Sequence, residues 1–162
     1  MRYIKFIILA LGIPMLLNSC MKETDKDFYF TNALAEFDLA TNTANAPGVN
    51  YPLLAARLRG SGLISYRINL LGQQLSADQA IALRINGEST TAVEGVHYRL
   101  PNGLNATFPA NSSFANLDVE VLDFPAQTTG AANVVLVFEI VGNDVVKPSE
   151  NHKSIGVQIN VR

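Results

Sequence analysis

Residues 64–70 read ISYRINL, with Ile64, Tyr66, Ile68 and Leu70 alternating with Ser65, Arg67 and Asn69. A period of two sends successive side chains to opposite faces of a strand, so this stretch predicts a β-strand with one wet and one buried face. The same pattern returns downstream. Ile81, Leu83 and Ile85 alternate with Ala82, Arg84 and Asn86; Leu117, Val119 and Val121 flank Asp118 and Glu120; Ile155, Val157, Ile159 and Val161 flank Gly156, Gln158 and Asn160. Residues 134–141 (VVLVFEIV) are apolar on both faces apart from Glu139, which predicts a strand in the middle of a sheet.

Shorter strand candidates lie at residues 28–30, 53–58 and 106–108. Between the strands stand residues that tolerate tight or left-handed backbone: Gly60-Ser61-Gly62, Asn86-Gly87, Pro101-Asn102-Gly103, residues 110–113 and Gly142-Asn143-Asp144. Residues 34–39 suit either a weak strand or a turn of helix, and residues 41–50 (TNTANAPGVN) a polar loop. Ser76 to Gln79 offers a capping-box spacing over barely one turn, the single helix-start hint after residue 20. About seven to nine short strands without βαβ alternation predict an all-β, immunoglobulin-like antiparallel sandwich; a closed barrel is the alternative, since alternation does not separate the two.

The first nineteen residues have a different character. Arg2 and Lys5 precede a twelve-residue apolar run, residues 6–17 (FIILALGIPMLL), which ends at Asn18, Ser19 and Cys20. A positive start followed by a short apolar segment is signal-peptide anatomy. Twelve residues of helix rise roughly 18 Å, short of the roughly 30 Å hydrocarbon core, so a permanent transmembrane span is not expected. Residues 21–27 (MKETDKD) are charged and aperiodic, as suits a solvated tether. The predicted organisation is a signal at 1–19, a cysteine and tether at 20–27, and one sandwich domain at 28–162.

Charge and composition narrow the function. The chain is 48% apolar and 16% charged, a globular balance. Without Arg2 and Lys5 the formal net charge moves from −2 to −4, and the remaining Lys and Arg are scattered, which argues against nucleic acid. Cys20 is the single cysteine, so no intramolecular disulfide forms and packing must supply the stability.

Leu17-Asn18-Ser19-Cys20 resembles the lipobox of bacterial lipoproteins, matching at Leu17, Ser19 and Cys20 and departing at Asn18. The resemblance implies that Cys20 becomes thioether-linked to diacylglycerol before cleavage, which anchors the chain to a membrane. The charged tether resembles the signal that sends some Gram-negative lipoproteins to the outer membrane. Residues 78–123 carry a second resemblance. The strand at 81–85, the turn Glu94-Gly95-Val96-His97-Tyr98, the Thr107-Phe108-Pro109 strand end, the polar turn at 110–113 and the strand at 117–123 together look like a Calx-beta repeat. That resemblance implies a sandwich for adhesion or polysaccharide capture.

The Calx-beta resemblance also implies a calcium site of acidic residues at a strand end, with Glu94, Asp123 and Asp78 in matching regions. Phe124 stands where the family carries the second of two aspartates. Calcium takes about six to eight oxygen ligands, which three carboxylates supply only with carbonyls and water, so no cofactor is expected and calcium is the alternative. His97 and His152 both read as surface loop residues, and no Gly-x-Ser-x-Gly or His-Glu-x-x-His spacing occurs. An enzyme is not expected. For glycan binding an exposed aromatic platform is needed, and Tyr51, beside Pro52 after the polar loop, is the candidate; its alternative role is to pin that loop onto the sandwich. The expected protein is therefore a lipid-anchored, non-enzymatic envelope protein contacting a glycan or another protein. A periplasm-facing structural or assembly lipoprotein and a calcium-dependent adhesion module are the alternatives.

Overall fold

The computed structural model describes residues 33–162, so the predicted signal, Cys20, the tether and the strand candidate at 28–30 lie outside the described residues. The strands are β1 (Ala33–Phe37), β2 (Leu53–Leu58), β3 (Gly62–Leu71), β4 (Gln79–Ile85), β5 (Tyr98–Arg99), β6 (Asn105–Phe108), β7 (Phe114–Val121), β8 (Asn133–Gly142), β9 (Val146–Pro148) and β10 (Ser154–Asn160), with one short helix, α1 (Asp38–Asn42). They form two five-stranded sheets, in the orders β5-β7-β3-β1-β9 and β2-β10-β8-β4-β6. The fold is the predicted β-sandwich.

The core lies between the sheets and follows the alternation. From the first sheet come Phe37, Tyr66, Ile68, Leu117 and Val119; from the second come Ile81, Phe108, Leu136, Phe138, Ile140, Ile155 and Ile159, all with almost no exposure. Each such side chain contributes about 1.5–3 kcal/mol on burial, offsetting the entropy of ordering the chain without any disulfide. Register keeps the faces aligned: Tyr66 pairs with Leu117 and Ile68 with Ala115 across β3 and β7, while Ile155 pairs with Phe138 and Val157 with Leu136 across β10 and β8. As predicted for residues 134–141, β8 is the central strand of its sheet. Its outer face is covered at Val137, 1% exposed, and open at Val141, 47% exposed.

Strand direction departs from an all-antiparallel sandwich. β1 pairs parallel with β9, and β10 pairs parallel with β2. Alternation reports which face a side chain takes and is blind to the direction of the neighbouring strand. Residues 34–39 prove to be both of the predicted options, with strand to Phe37 and helix from Asp38. Five residues are too few for an autonomous helix. Asp38 holds this one through its carbonyl, which accepts from Thr41 Oγ1 at 2.8 Å, and through Oδ1, which accepts from Asn69 Nδ2 of β3 at 3.0 Å. The hint at Ser76 to Gln79 gives no helix; Asp78 Oδ1 instead accepts the Ala110 backbone N–H at 2.7 Å, joining the two loops beside the β4–β6 pair.

Candidate functional site

Between β1 and β2 the chain crosses from one sheet to the other through α1 and residues 43–52. The polar loop is shaped by its own backbone: Ala46 N–H donates to Tyr51 O at 3.0 Å, Val49 N–H donates to Ala46 O at 3.2 Å, and Gly48 takes φ 82°. A side chain is strained at that φ, and glycine is not. The β9–β10 turn is tied alongside, because Phe37 N–H donates to His152 O at 2.9 Å and Ser149 N–H donates to Ala35 O at 2.8 Å. The two segments enclose an open cleft of about 510 Å³, lined by Ala40, Thr41, Asn42, Thr43, Ala44, Asn45, Asn50, Glu150, Asn151 and His152.

Beside this cleft stands a buried acid. Glu36 alternates outward between the core residues Ala35 and Phe37, yet it is 8% exposed. Its Oε2 lies 3.3 Å from His152 Nδ1. A carboxylate only accepts, so Nδ1 is the donor of this pair and the imidazole orientation is set from beneath. Burying a charge is costly unless it is paired, which gives Glu36 a stake in keeping His152 in place. In register with Glu36, Asn69 donates to Asp38 while its own Oδ1 is buried without a hydrogen-bond partner among the described residues.

The residues expected at a site fall elsewhere. Tyr51 is 8% exposed, which corrects its reading as an exposed sugar platform. The physical reason is Gly156, where an added Cβ would lie 2.5 Å from Leu53 Cδ2 and 3.2 Å from Tyr51 Cε2; the missing side chain on β10 leaves a notch that Leu53 and the Tyr51 ring fill together. Tyr51 therefore takes its alternative role and pins the loop. Glu94 and Asp123 are exposed, Glu94 bridging to Tyr98 and Asp123 packing beside Gly60. Among the described residues no three of His, Cys, Asp and Glu gather into a group able to hold a metal ion.

His97 corrects a second expectation, since it is 5% exposed and not a surface loop residue. Its Nδ1 accepts the Val93 N–H at 2.9 Å, and its ring packs edge-on against Phe124. Phe124 was the available signal: an aromatic in place of the second aspartate turns this strand end apolar. Tyr98 closes the same turn, and its hydroxyl pKa is raised by burial and, secondarily, by the negative charge of Glu94. Tyr66, in the core as expected, has its pKa raised by burial, with the nearby Arg57 opposing the shift. The Glu36–His152 pair escaped the sequence reading because its members are 116 residues apart. The trace it left is one acid between apolar neighbours in residues 33–37 (ALAEF).

The two packed sheets define a β-sandwich whose fold is similar to that of Calx-beta domains. The chain belongs to the family described as a domain of unknown function (DUF4843), which matches residues 35–161. Among solved structures, the crystal structure of CBD12 from CALX1.2 is similar at a TM-score of 0.54 and 14% identity, covering 77% of this chain. This chain spans 42% of that one. The apo-form Calx CBD1 domain is similar at a TM-score of 0.51 and 11% identity, covering 80% of this chain and 98% of that one. At such identity the likeness concerns the fold. No curated protein matches the chain.

Proposed function

We propose that this chain is a lipid-anchored, non-enzymatic binding domain of the Gram-negative cell envelope, held on the outer membrane and contacting a glycan or protein through the cleft beside His152. The observation that carries the anchoring is the position of Cys20, preceded by Ser19 at the end of a twelve-residue apolar run and followed by the charged tether at 21–27. The binding role is supported by the open polar cleft and by the state of the histidines. His97 Nδ1 is engaged by a backbone N–H and His152 Nδ1 by a carboxylate, and among the described residues neither ring is hydrogen-bonded to a hydroxyl that it could activate.

Cys20→Ala tests the anchor. The expected outcome, read by membrane fractionation and mass spectrometry, is loss of the acyl mass with release of the protein or accumulation of its unprocessed form. Unchanged membrane association with no acyl mass on wild-type Cys20 overturns the reading. Protease treatment of intact cells then distinguishes the surface from the periplasmic face.

A further inference from the structure

We infer that the cleft between α1 and the β9–β10 turn takes a neutral, polyhydroxylated ligand of the glycan class, with His152 as its fixed contact and Glu36 as the residue that positions His152. The inference deepens the binding-domain reading and rests on it. Its first ground is the chemistry of the lining. Asn42, Asn45, Asn50 and Asn151 bring four carboxamides to one cleft. Asn42 Nδ2 is engaged by Asp38 O at 3.3 Å, which leaves its carbonyl oxygen for a ligand. No side-chain hydrogen bond to a described residue engages Asn45, Asn50 or Asn151. A carboxamide carries a donor and an acceptor in one plane, the pairing that two neighbouring hydroxyls of a sugar ring complete.

The second ground is charge. The lining holds one carboxylate, Glu150, which pairs with Lys153 Nζ at 3.4 Å, and no Lys or Arg lines the cleft itself. An anionic ligand would find no cation in the lining, the Lys153 ammonium beside it being shared between Glu150 and Glu139, whereas a neutral polyol meets amides, hydroxyls and imidazole. The third ground is the buried pair. Glu36 is 8% exposed with Oε2 3.3 Å from Nδ1 of the lining residue His152, so one ring nitrogen is committed and the other is the ring's remaining polar atom. A preoriented contact of this kind loses less entropy on binding than a free side chain.

The test uses the full chain purified in detergent, titrated calorimetrically with neutral gluco-, manno- and xylo-hexasaccharides and with a hexagalacturonate, and separately incubated with isolated envelope fragments. The expected result is saturable binding of at least one neutral hexasaccharide, with the hexagalacturonate at least tenfold weaker. The Asn45→Ala/Asn151→Ala variant should weaken that binding about tenfold or more at an unchanged melting temperature. His152→Ala should do the same, and Glu36→Gln, which keeps an acceptor for Nδ1, should retain more binding than Glu36→Ala at matched folding. Equal or tighter binding of the hexagalacturonate, or no binding of any sugar, overturns the inference. Envelope binding that is lost in the asparagine variant while no sugar binds overturns the glycan class and leaves the binding domain standing; no binding to envelope or sugars overturns both.

Discussion

The imidazole of His97 stands edge-on to the ring of Phe124, with centroids 5.0 Å apart and planes at 85°. The contact closes the strand end where β5 meets β7, because Leu122 N–H donates to His97 O at 3.0 Å in the same turn. An aromatic pair of this geometry adds about 0.5–1.5 kcal/mol beyond the area it buries. Where the family resemblance implies a second aspartate the chain has Phe124, and the structure packs it against His97 as an apolar plug.

The plug predicts coupled stability at positions 97 and 124. His97→Ala removes a buried ring and the acceptor of the Val93 N–H and is expected to cost about 2 kcal/mol, and Phe124→Ala about 3 kcal/mol. In a double-mutant cycle read by urea unfolding, the pair should couple by about 1 kcal/mol. Strict additivity would show that the edge-on contact contributes nothing.

A separate prediction concerns Tyr51 and the notch at Gly156. Gly156→Ala places a Cβ 2.5 Å from Leu53 Cδ2 and 3.2 Å from Tyr51 Cε2, so the Leu53 side chain must shift and the Tyr51 ring must give way with it. The expected cost is about 1–3 kcal/mol, with a rise in the intrinsic fluorescence change on quencher addition as Tyr51 becomes exposed. Tyr51→Ala should be destabilising by about 3 kcal/mol through the lost burial. A neutral effect of both variants on the unfolding midpoint would show that the loop needs no pin.

Alkaline pH offers a third measurement. Burial raises the pKa of Tyr66 and Tyr98 above the ordinary 10.0 of the phenol. Below that value both folded and unfolded chains hold the protons and stability is independent of these groups. Above it the unfolded chain loses protons that the folded chain keeps, so stability falls as pH rises, by up to about 1.4 kcal/mol per pH unit per tyrosine, until the folded-state values are reached. Urea midpoints and tyrosinate absorbance from about pH 9 to about pH 12 report both quantities. Tyr66→Phe should flatten the fall, because the group that titrates is gone. A midpoint in wild type that does not move across this range removes the burial argument.

Most of the fold was legible in the alternation. Ile64 to Leu70, Ile81 to Ile85, Leu117 to Val121 and Ile155 to Ile159 all lie in strands, and Val134 to Val141 lies mid-sheet. Local pattern suffices for this because each strand announces its buried face every second residue. The short helix at Asp38 was half visible, since residues 34–39 carry too few periods to separate a strand from a turn.

Sequence alone determined the all-β strand series, the buried face of its main strands and the dependence on packing without disulfides, all of which depend on composition and near-neighbour order; the choice of a sandwich over a closed barrel came from the sheet pairing. Tertiary structure decided the parallel pairings of β1 with β9 and β10 with β2, the burial of Tyr51 against Gly156 and of His97 against Phe124, and the meeting of Glu36 with His152. The reason is range. Tyr51 and Gly156, like Glu36 and His152, are over a hundred residues apart along the chain, and only the crossing from β1 to β2 and the return through β9 and β10 bring them together.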